Sequence, residues 1–543
     1  MSPSQHDQQK TPWRLLLLFW FLYALLLGWQ IFSHTAFHSI DGMYHIRLAR
    51  LYWEQGIFVD FPWMQFSIAN EYWADHHFLF HIFLIPFSWM ELSSGLRWSS
   101  VFFGSTALVS CLAYLCAHRV RHVWIYGLLL MVCSSVFLFR ISMPRAMSVA
   151  LIFILASLWC LETRRDKWLF VLGFGFAWWY QTAVVLLPMA LCAVFWRRLT
   201  TQQWEWRPVL FTFGGVFVGF AVNPFSPDTF SFLFFHVFSV SKTSVELGQE
   251  WYASSWRDLL WLNYPAVVMG FVATFWGLKR YRSLPIDIGI LAIGALALAL
   301  TTLRTTRMLE YAIPFIMLFS ARVFDSLLFP RKQVIPTPSL EGVENDSKQP
   351  QEQAAKDKDG QASKEQSQST LSLSKLQRFV MALFVLSFVA AGVYYQVDLH
   401  RKAFDVRHQN TRQAALWLKQ HTPKKSIVFH TDWTGFSYLF FHNSHNYYIS
   451  GLTPHFFHSW KPKLYALYRH VSSGRSREPV SLIRKVFRAR FVFLHARSAN
   501  FPLAMQLERS PRARRVYEDK HARVYQLFDK PLKDGKKKRS PKR

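Results

Sequence analysis

Asp41 opens the stretch DGMYHIRLARLYWEQG (41–56), where a carboxylate stands at the head of an amphipathic segment just past the first long apolar run. A carboxylate there can cap a helix, and the same geometry can aim it as a proton acceptor or a ligand for a divalent cation. Tyr44, His45 and Leu48 share its helical face, and Gly56 closes the segment as a C′ residue. Arg304 and Arg307 lie three residues apart near the end of a late apolar run. Two guanidiniums there suit a phosphate or pyrophosphate. The alternatives are interfacial anchoring and, for Arg307, an i,i+3 pair with Glu310. Arg140 and Arg145 in FRISMPRAMS are two further candidates for a phosphate.

Asp75 is a candidate second acid. Asp75-His76-His77 has ligand-type residues, but adjacent histidines on one regular element point apart, so a three-ligand site is disfavoured. Glu246 and Glu250 stand one helical turn apart; they can hold a metal or an acceptor, or belong to a solvated loop. Trp53, Trp63 and Trp73 offer faces to a sugar, or anchor at the membrane interface.

Positioning these groups falls to a chain that is 51% apolar and 17% aromatic, with 51 Phe and 23 Trp. That composition fits a multi-span membrane protein with water-facing parts rather than a soluble enzyme. Lys10 and Arg14 precede LLLLFWFLYALLLGW, which reads as a retained signal anchor. Further spans read at 98–117, 123–139, 145–162, 208–222, 259–277, 285–302, 308–327 and 377–397. The run 168–196 reads as two short spans with a turn near Trp178–Thr182.

Residues 78–93 read as interfacial or re-entrant, because that choice places HRVRH, ETRRDK, LKRYR and their like on the inner side. The result is about eleven spans, N-terminus inside and C-terminus outside, with the polar features above gathered at the outer face, as around a shared water-filled cavity. Residues 336–376 read as a disordered cytoplasmic linker.

Beyond the last span, TRQAALWLKQHTPKKSIVFHTDW reads as helix, Pro turn and strand, while ARFVFLHAR and ARVYQLFD alternate as strands. This makes 398–530 an extracytoplasmic α/β domain, ahead of a basic disordered tail at 531–543. Of the net charge of +29, most sits here: 398–543 holds 31 Lys and Arg against 9 Asp and Glu. Such a surface favours lipid headgroups, phosphates or acidic polymers, and no nucleic acid is expected. All five cysteines fall in apolar runs without metal spacing.

The first span followed by DGMYHIRLARLYWEQG resembles membrane glycosyltransferases of the GT-C superfamily, most of all the oligosaccharyltransferase catalytic subunits and their bacterial relatives. The resemblance covers roughly residues 10–325 and implies a GT-C-like catalytic domain over 1–335, with a polyprenyl-linked sugar as donor. It implies Asp41 as base or metal ligand, and Glu246, in TSVE, as the later acid and second ligand for Mg²⁺ or Mn²⁺. Arg304 or Arg307 would bind the donor phosphate. HTDWTGF places Asp432 and Trp433, with Glu250, as acceptor-binding candidates, although the WWDYG motif itself is absent. The acceptor is open: a glycan, a lipid or a protein. The host membrane would be the plasma (inner) membrane, with the outer side periplasmic in a double-membrane bacterium. The rival readings are a transporter or flippase for an anionic lipid-linked substrate, and a non-catalytic assembly subunit.

Overall fold

In the computed structural model of the chain, the described residues are 12–33, 40–239, 251–281, 284–285, 287–329, 383, 386–397 and 411–532, with side chains at 236–239 left aside. Glu246, Glu250, the linker 336–376 and the tail beyond residue 532 lie outside them.

The apolar runs form helices: α1 (Trp13–Phe32), α2 (Ile40–Gln55), α3 (Phe78–Ser88), α4 (Leu92–Ala117), α5 (Val123–Leu130), α6 (Ser135–Ile141), α7 (Ala146–Glu162) and α8 (Trp168–Trp179). They continue with α9 (Leu186–Thr201), α10 (Arg207–Ala221), α11 (Asp228–Ser239), α12 (Trp256–Trp261), α13 (Tyr264–Lys279), α14 (Ile288–Thr302), α15 (Leu309–Leu328) and α16 (Leu386–Val397). Among the described residues, four helical segments are long and apolar enough to cross a membrane, and a bent pair makes a fifth. The other apolar helices are shorter, so eleven uniform crossings is more than helix length alone supports. At 11 residues, α3 is about 16 Å long, half the hydrocarbon thickness.

Two breaks shape the interior. The run 123–139, expected as one span, bends by 85° between α5 and α6. Ser134 stops it: its Oγ caps α6 by accepting from the Phe137 N–H at 3.0 Å and is 2.5 Å from Asn263 Oδ1. The run 168–196 breaks at Tyr180, whose extended backbone (φ −162°, ψ 135°) leads into a 3₁₀ turn at Gln181–Val185. A turn was expected there from the polar residues at its centre.

The C-terminal part comprises α17 (Arg412–His421), β1 (Ile427–His430), α18 (Gly435–His442), β2 (Tyr447–Tyr448), α19 (His455–His458), α20 (Pro462–Ser472), α21 (Pro479–Lys485), β3 (Phe491–His495), α22 (Phe501–Arg509), β4 (Ala513–Glu518) and β5 (Ala522–Leu527). Its sheet runs β2-β1-β3-β5-β4, parallel across the first three strands and antiparallel across the last three. The charged edge strand β4 and the two-residue β2 were not anticipated.

This sheet is joined to the loop after α2. Gln65 N–H donates to the Tyr448 carbonyl (2.9 Å), Phe66 N–H to Ile449 (2.8 Å), and Tyr448 N–H to Trp63 (2.9 Å). One apolar cluster then spans both parts, with Tyr44, Leu48, Phe61, Trp63 and Trp73 packed against Leu418, Val428, Phe436, Phe440 and Tyr448. Trp63 and Trp73 are thus buried core residues and not sugar platforms, while Trp53 is exposed beside Trp89. The Arg47 guanidinium, on α2, donates to the Phe441 carbonyl at the end of α18. Arg47→Ala removes this charged donor and is expected to cost about 1.5–3 kcal/mol of stability, read as a lower unfolding temperature and faster proteolysis of the C-terminal domain.

Candidate active site

A cavity of ≈ 870 Å³ lies between the helical part and the C-terminal domain. Each wall follows from a local break. The first two turns of α2 bring Asp41, Tyr44 and His45; the last turn of α6 brings Arg140 and the turn after it Met143 and Arg145; the break at Tyr180 brings Tyr180 and Gln181. The turn before α15 adds Arg307, and the C-terminal domain adds Trp433, Thr453 and His455.

Asp41 lies within the first turn of α2, since the helix begins at Ile40. Its carboxylate Oδ2 is 3.2 Å from Arg145 Nη2. Gly42 makes that approach possible: a Cβ there would stand 2.4 Å from the Pro144 ring, so only glycine lets α2 close onto the turn that carries Arg145. Arg140 borders the cavity, but its Nε donates to the Glu310 carboxylate, both side chains being buried. A pairing of Glu310 with Arg307 was one alternative in the sequence; the bend at Ser134 brings Arg140 to Glu310. Arg307 donates to Tyr180 Oη at 3.0 Å, and its guanidinium carbon stands 4.7 Å from the centre of the Trp251 ring. Among the described residues the cavity wall therefore carries three arginines against one carboxylate, Asp41, with Arg140 also paired to Glu310, a surface suited to an anion.

Several sequence candidates stand elsewhere. Arg304 is exposed and does not border the cavity. The two arginines were expected to share a helical face, but 303–308 is a turn and a 3₁₀ segment, which rotates them apart. Asp75 is 1% exposed and lies behind the wall, so it cannot be a second acid in contact with substrate. Its Oδ2 takes Tyr52 Oη–H at 2.8 Å and His81 Nδ1 at 2.6 Å, and its Oδ1 takes the His77 N–H at 3.0 Å. Burial works to raise its pKa, but the charge and hydrogen bond of His81, with His76 and Tyr52, bring it below the usual value. Asp432 is turned onto Arg497 (2.7 Å) and the Thr434 N–H (3.1 Å), leaving only its neighbour Trp433 on the cavity.

His45, His76 and His77 were visible in the sequence but given no role there, and the structure brings all three to the cavity. His76 and His77 lie in a turn, where neither helical nor strand alternation separates neighbours, and their ring centres are 4.0 Å apart. Both border the cavity, with His77 stacked on Tyr180 at 4.9 Å. His45 borders it too, and its Nδ1 is 2.7 Å from Nε2 of the buried His81. Burial first, and then neighbouring histidines, hold His45 and His77 well below the ordinary histidine value; burial brings His76 to about 4. The rings are therefore neutral at pH 7. Among the described residues, no three His, Cys, Asp or Glu side chains are grouped to hold a metal ion. Asp41 faces a guanidinium, so the described residues alone do not form a cation site; its expected co-ligand Glu246 lies outside them.

No protein-family model and no curated protein matches the sequence. Solved structures do. The oligosaccharyltransferase AglB of Archaeoglobus fulgidus superposes with a TM-score of 0.61 at 12% identity, over 90% of this chain and 70% of that one. ArnT of Cupriavidus metallidurans gives 0.54 at 13% identity, over 95% and 98%. The mycobacterial arabinofuranosyltransferase AftD gives 0.53 at 12%, over 95% and 40%. These are GT-C glycosyltransferases, and the fold of this chain is theirs. ArnT has been solved with undecaprenyl phosphate, and AglB with dolichol-phosphate and an inhibitory peptide.

Proposed function

We propose that this chain is a membrane glycosyltransferase that moves a sugar or oligosaccharide from a polyprenyl-phosphate or pyrophosphate carrier to an acceptor. The observation that carries this is the convergence of Asp41, Arg145 and Arg307 on one cavity in a fold shared with enzymes whose solved complexes hold polyprenyl phosphates. With the N-terminus inside, as the positive-inside bias of the sequence suggests, α1 would carry the chain outward and put Asp41 and the cavity at the outer face of the plasma membrane, periplasmic in a double-membrane bacterium.

The roles follow from position. The carrier's tail stays in lipid while its phosphate meets Arg307 and Arg145. As the bond between sugar C1 and phosphate oxygen breaks, the leaving oxygen gains negative charge, and cations already in place stabilise it without reorganising. Asp41 accepts a hydrogen bond from the acceptor, aims its nucleophilic atom at C1 and opposes the positive charge growing there. Trp433 and His455 border the acceptor side, and the basic C-terminal domain favours an acidic acceptor surface. A divalent cation at Asp41 with Glu246 is a separate proposal, read by a chelator arm, and no step here depends on it.

The binding half is tested by titrating undecaprenyl phosphate into the protein in nanodiscs. Saturable binding that weakens with Arg307→Gln supports the reading, and indifference to Arg307 and Arg145 substitutions counts against it. Gly42→Ala is expected to push α2 off Pro144, separating Asp41 from Arg145. Because small misplacements of reacting groups are costly, turnover should fall between about ten- and a hundredfold with carrier binding nearly unchanged.

A further inference from the structure

Behind the cavity wall runs a chain of three buried groups that the roles above leave unused. Asp75, His81 and His45 are 1%, 0% and 5% exposed. Asp75 Oδ2 meets His81 Nδ1 at 2.6 Å, and His81 Nε2 meets His45 Nδ1 at 2.7 Å. Tyr52 fixes the far end by donating to the same Asp75 oxygen. The tautomers follow from the carboxylate. Asp75 accepts, so His81 carries a proton on Nδ1; the relay takes His81 as neutral before the reaction, in which case its Nε2 accepts and His45 carries its proton on Nδ1. Nε2 of His45 is left with a lone pair on the side away from His81, and His45 is the member of the chain that borders the cavity.

Asp41, the sequence's candidate for proton acceptor, is instead ion-paired with Arg145. We propose that His45 is a catalytic residue that removes the proton from an acceptor hydroxyl, with His81 and Asp75 as positioning residues that pass and hold the charge. This deepens the glycosyltransferase reading and rests on it. It also commits the acceptor to an alcohol, because an already ionised phosphate nucleophile needs no base.

The step balances. The acceptor oxygen forms a bond to sugar C1 as the bond from C1 to the carrier's phosphate oxygen breaks, and that oxygen leaves with the electron pair. The acceptor's proton goes to His45 Nε2. As it arrives, the proton on His45 Nδ1 can move to His81 Nε2, forming an imidazolium against the buried Asp75 carboxylate. The proton then returns to water through the cavity.

The groups facing His45 come from four elements: Tyr44 beside it on α2; His76 and His77 from the loop before α3; His81 on α3 and, through it, Asp75 of that loop; and Arg145 from the turn after α6. Burial keeps the His45 ring neutral and able to accept at pH 7. The wild-type rate should therefore hold level down to the ordinary histidine value of 6.5 and decline only below it.

The test follows sugar release to water from a panel of undecaprenyl-phosphate-linked monosaccharides in nanodiscs, with undecaprenyl phosphate binding as the control for folding. His45→Ala is expected to lose about a hundredfold in turnover, to bind undecaprenyl phosphate as before, and to regain at least tenfold on addition of imidazole. Asp75→Asn should move the acid limb of the pH profile. Should His45→Ala fail to bind undecaprenyl phosphate, the Asp75→Asn profile alone decides. Wild-type turnover in His45→Ala, or an unmoved acid limb in Asp75→Asn, overturns the relay and leaves the glycosyltransferase reading standing. No release by the wild type from any donor overturns both.

Discussion

Asp41→Ala is expected to lower sugar transfer by about a thousandfold or more, roughly 4 kcal/mol of transition-state stabilisation, while binding of undecaprenyl phosphate changes little. The asymmetry comes from where the carboxylate sits. Asp41 is on the first turn of α2, at the rim of the cavity with the α2 wall behind it, and its side chain is 42% exposed. Removing it breaks no buried network, so the fold and the carrier site should survive. What disappears is the group that aims the acceptor and opposes the charge at C1, interactions made mainly in the transition state; such losses appear in kcat. Asp41→Asn separates the two contributions: it keeps the hydrogen bond but not the charge, and should recover part of the rate. Equal loss of carrier binding and turnover in Asp41→Ala would instead mean that Asp41 acts by holding Arg145 in place.

Arg307→Ala should have a comparable effect of different form. Its guanidinium is held by Tyr180 Oη and Trp251 on the cavity wall. The phosphate it meets is charged before the reaction and more so after bond cleavage. The variant should therefore lose both carrier affinity and kcat, the latter by about 10²–10³-fold. Arg307→Lys should rescue little, since a point charge lacks the planar fork that matches a phosphate and stacks on an indole. Arg304→Ala, on an exposed turn away from the cavity, is the matched control and should leave both quantities near wild type.

The sequence was most legible where local rules act alone. α2 ends at Gln55, and Gly56 follows at φ +78°, as its C′ reading required. The polar centre of 168–196 marked a break, and strands β1, β3 and β5 lie where alternation placed them. Arg140, Arg145, Arg307 and Asp41 reach one cavity because each stands beside a chain break that a polar or small residue signals.

What could not be read depends on tertiary contact. His45 and His81 are 36 positions apart, and His81 lies in a run that otherwise looks like lipid-facing chain. Nothing local says that Trp63 and Trp73 close a core with Phe436 and Phe440 from the far end of the chain. The 85° bend had only Ser134 and Ser135 as a signal, and two serines are common inside apolar helices. Asp432 and Trp433 looked like a pair but diverge, because the chain turns there from β1 into α18.

The measurement that bears most directly on the central claim is turnover itself: purified full-length protein in nanodiscs, given polyprenyl-phosphate-linked sugars, with release followed for wild type, Asp41→Ala and Arg307→Ala, with and without EDTA. The account predicts release by the wild type, its loss in Asp41→Ala with carrier still bound, and weakened binding together with loss of release in Arg307→Ala. A wild-type protein that binds every carrier and turns over none would contradict it, and would point to a carrier-binding transporter or an assembly subunit.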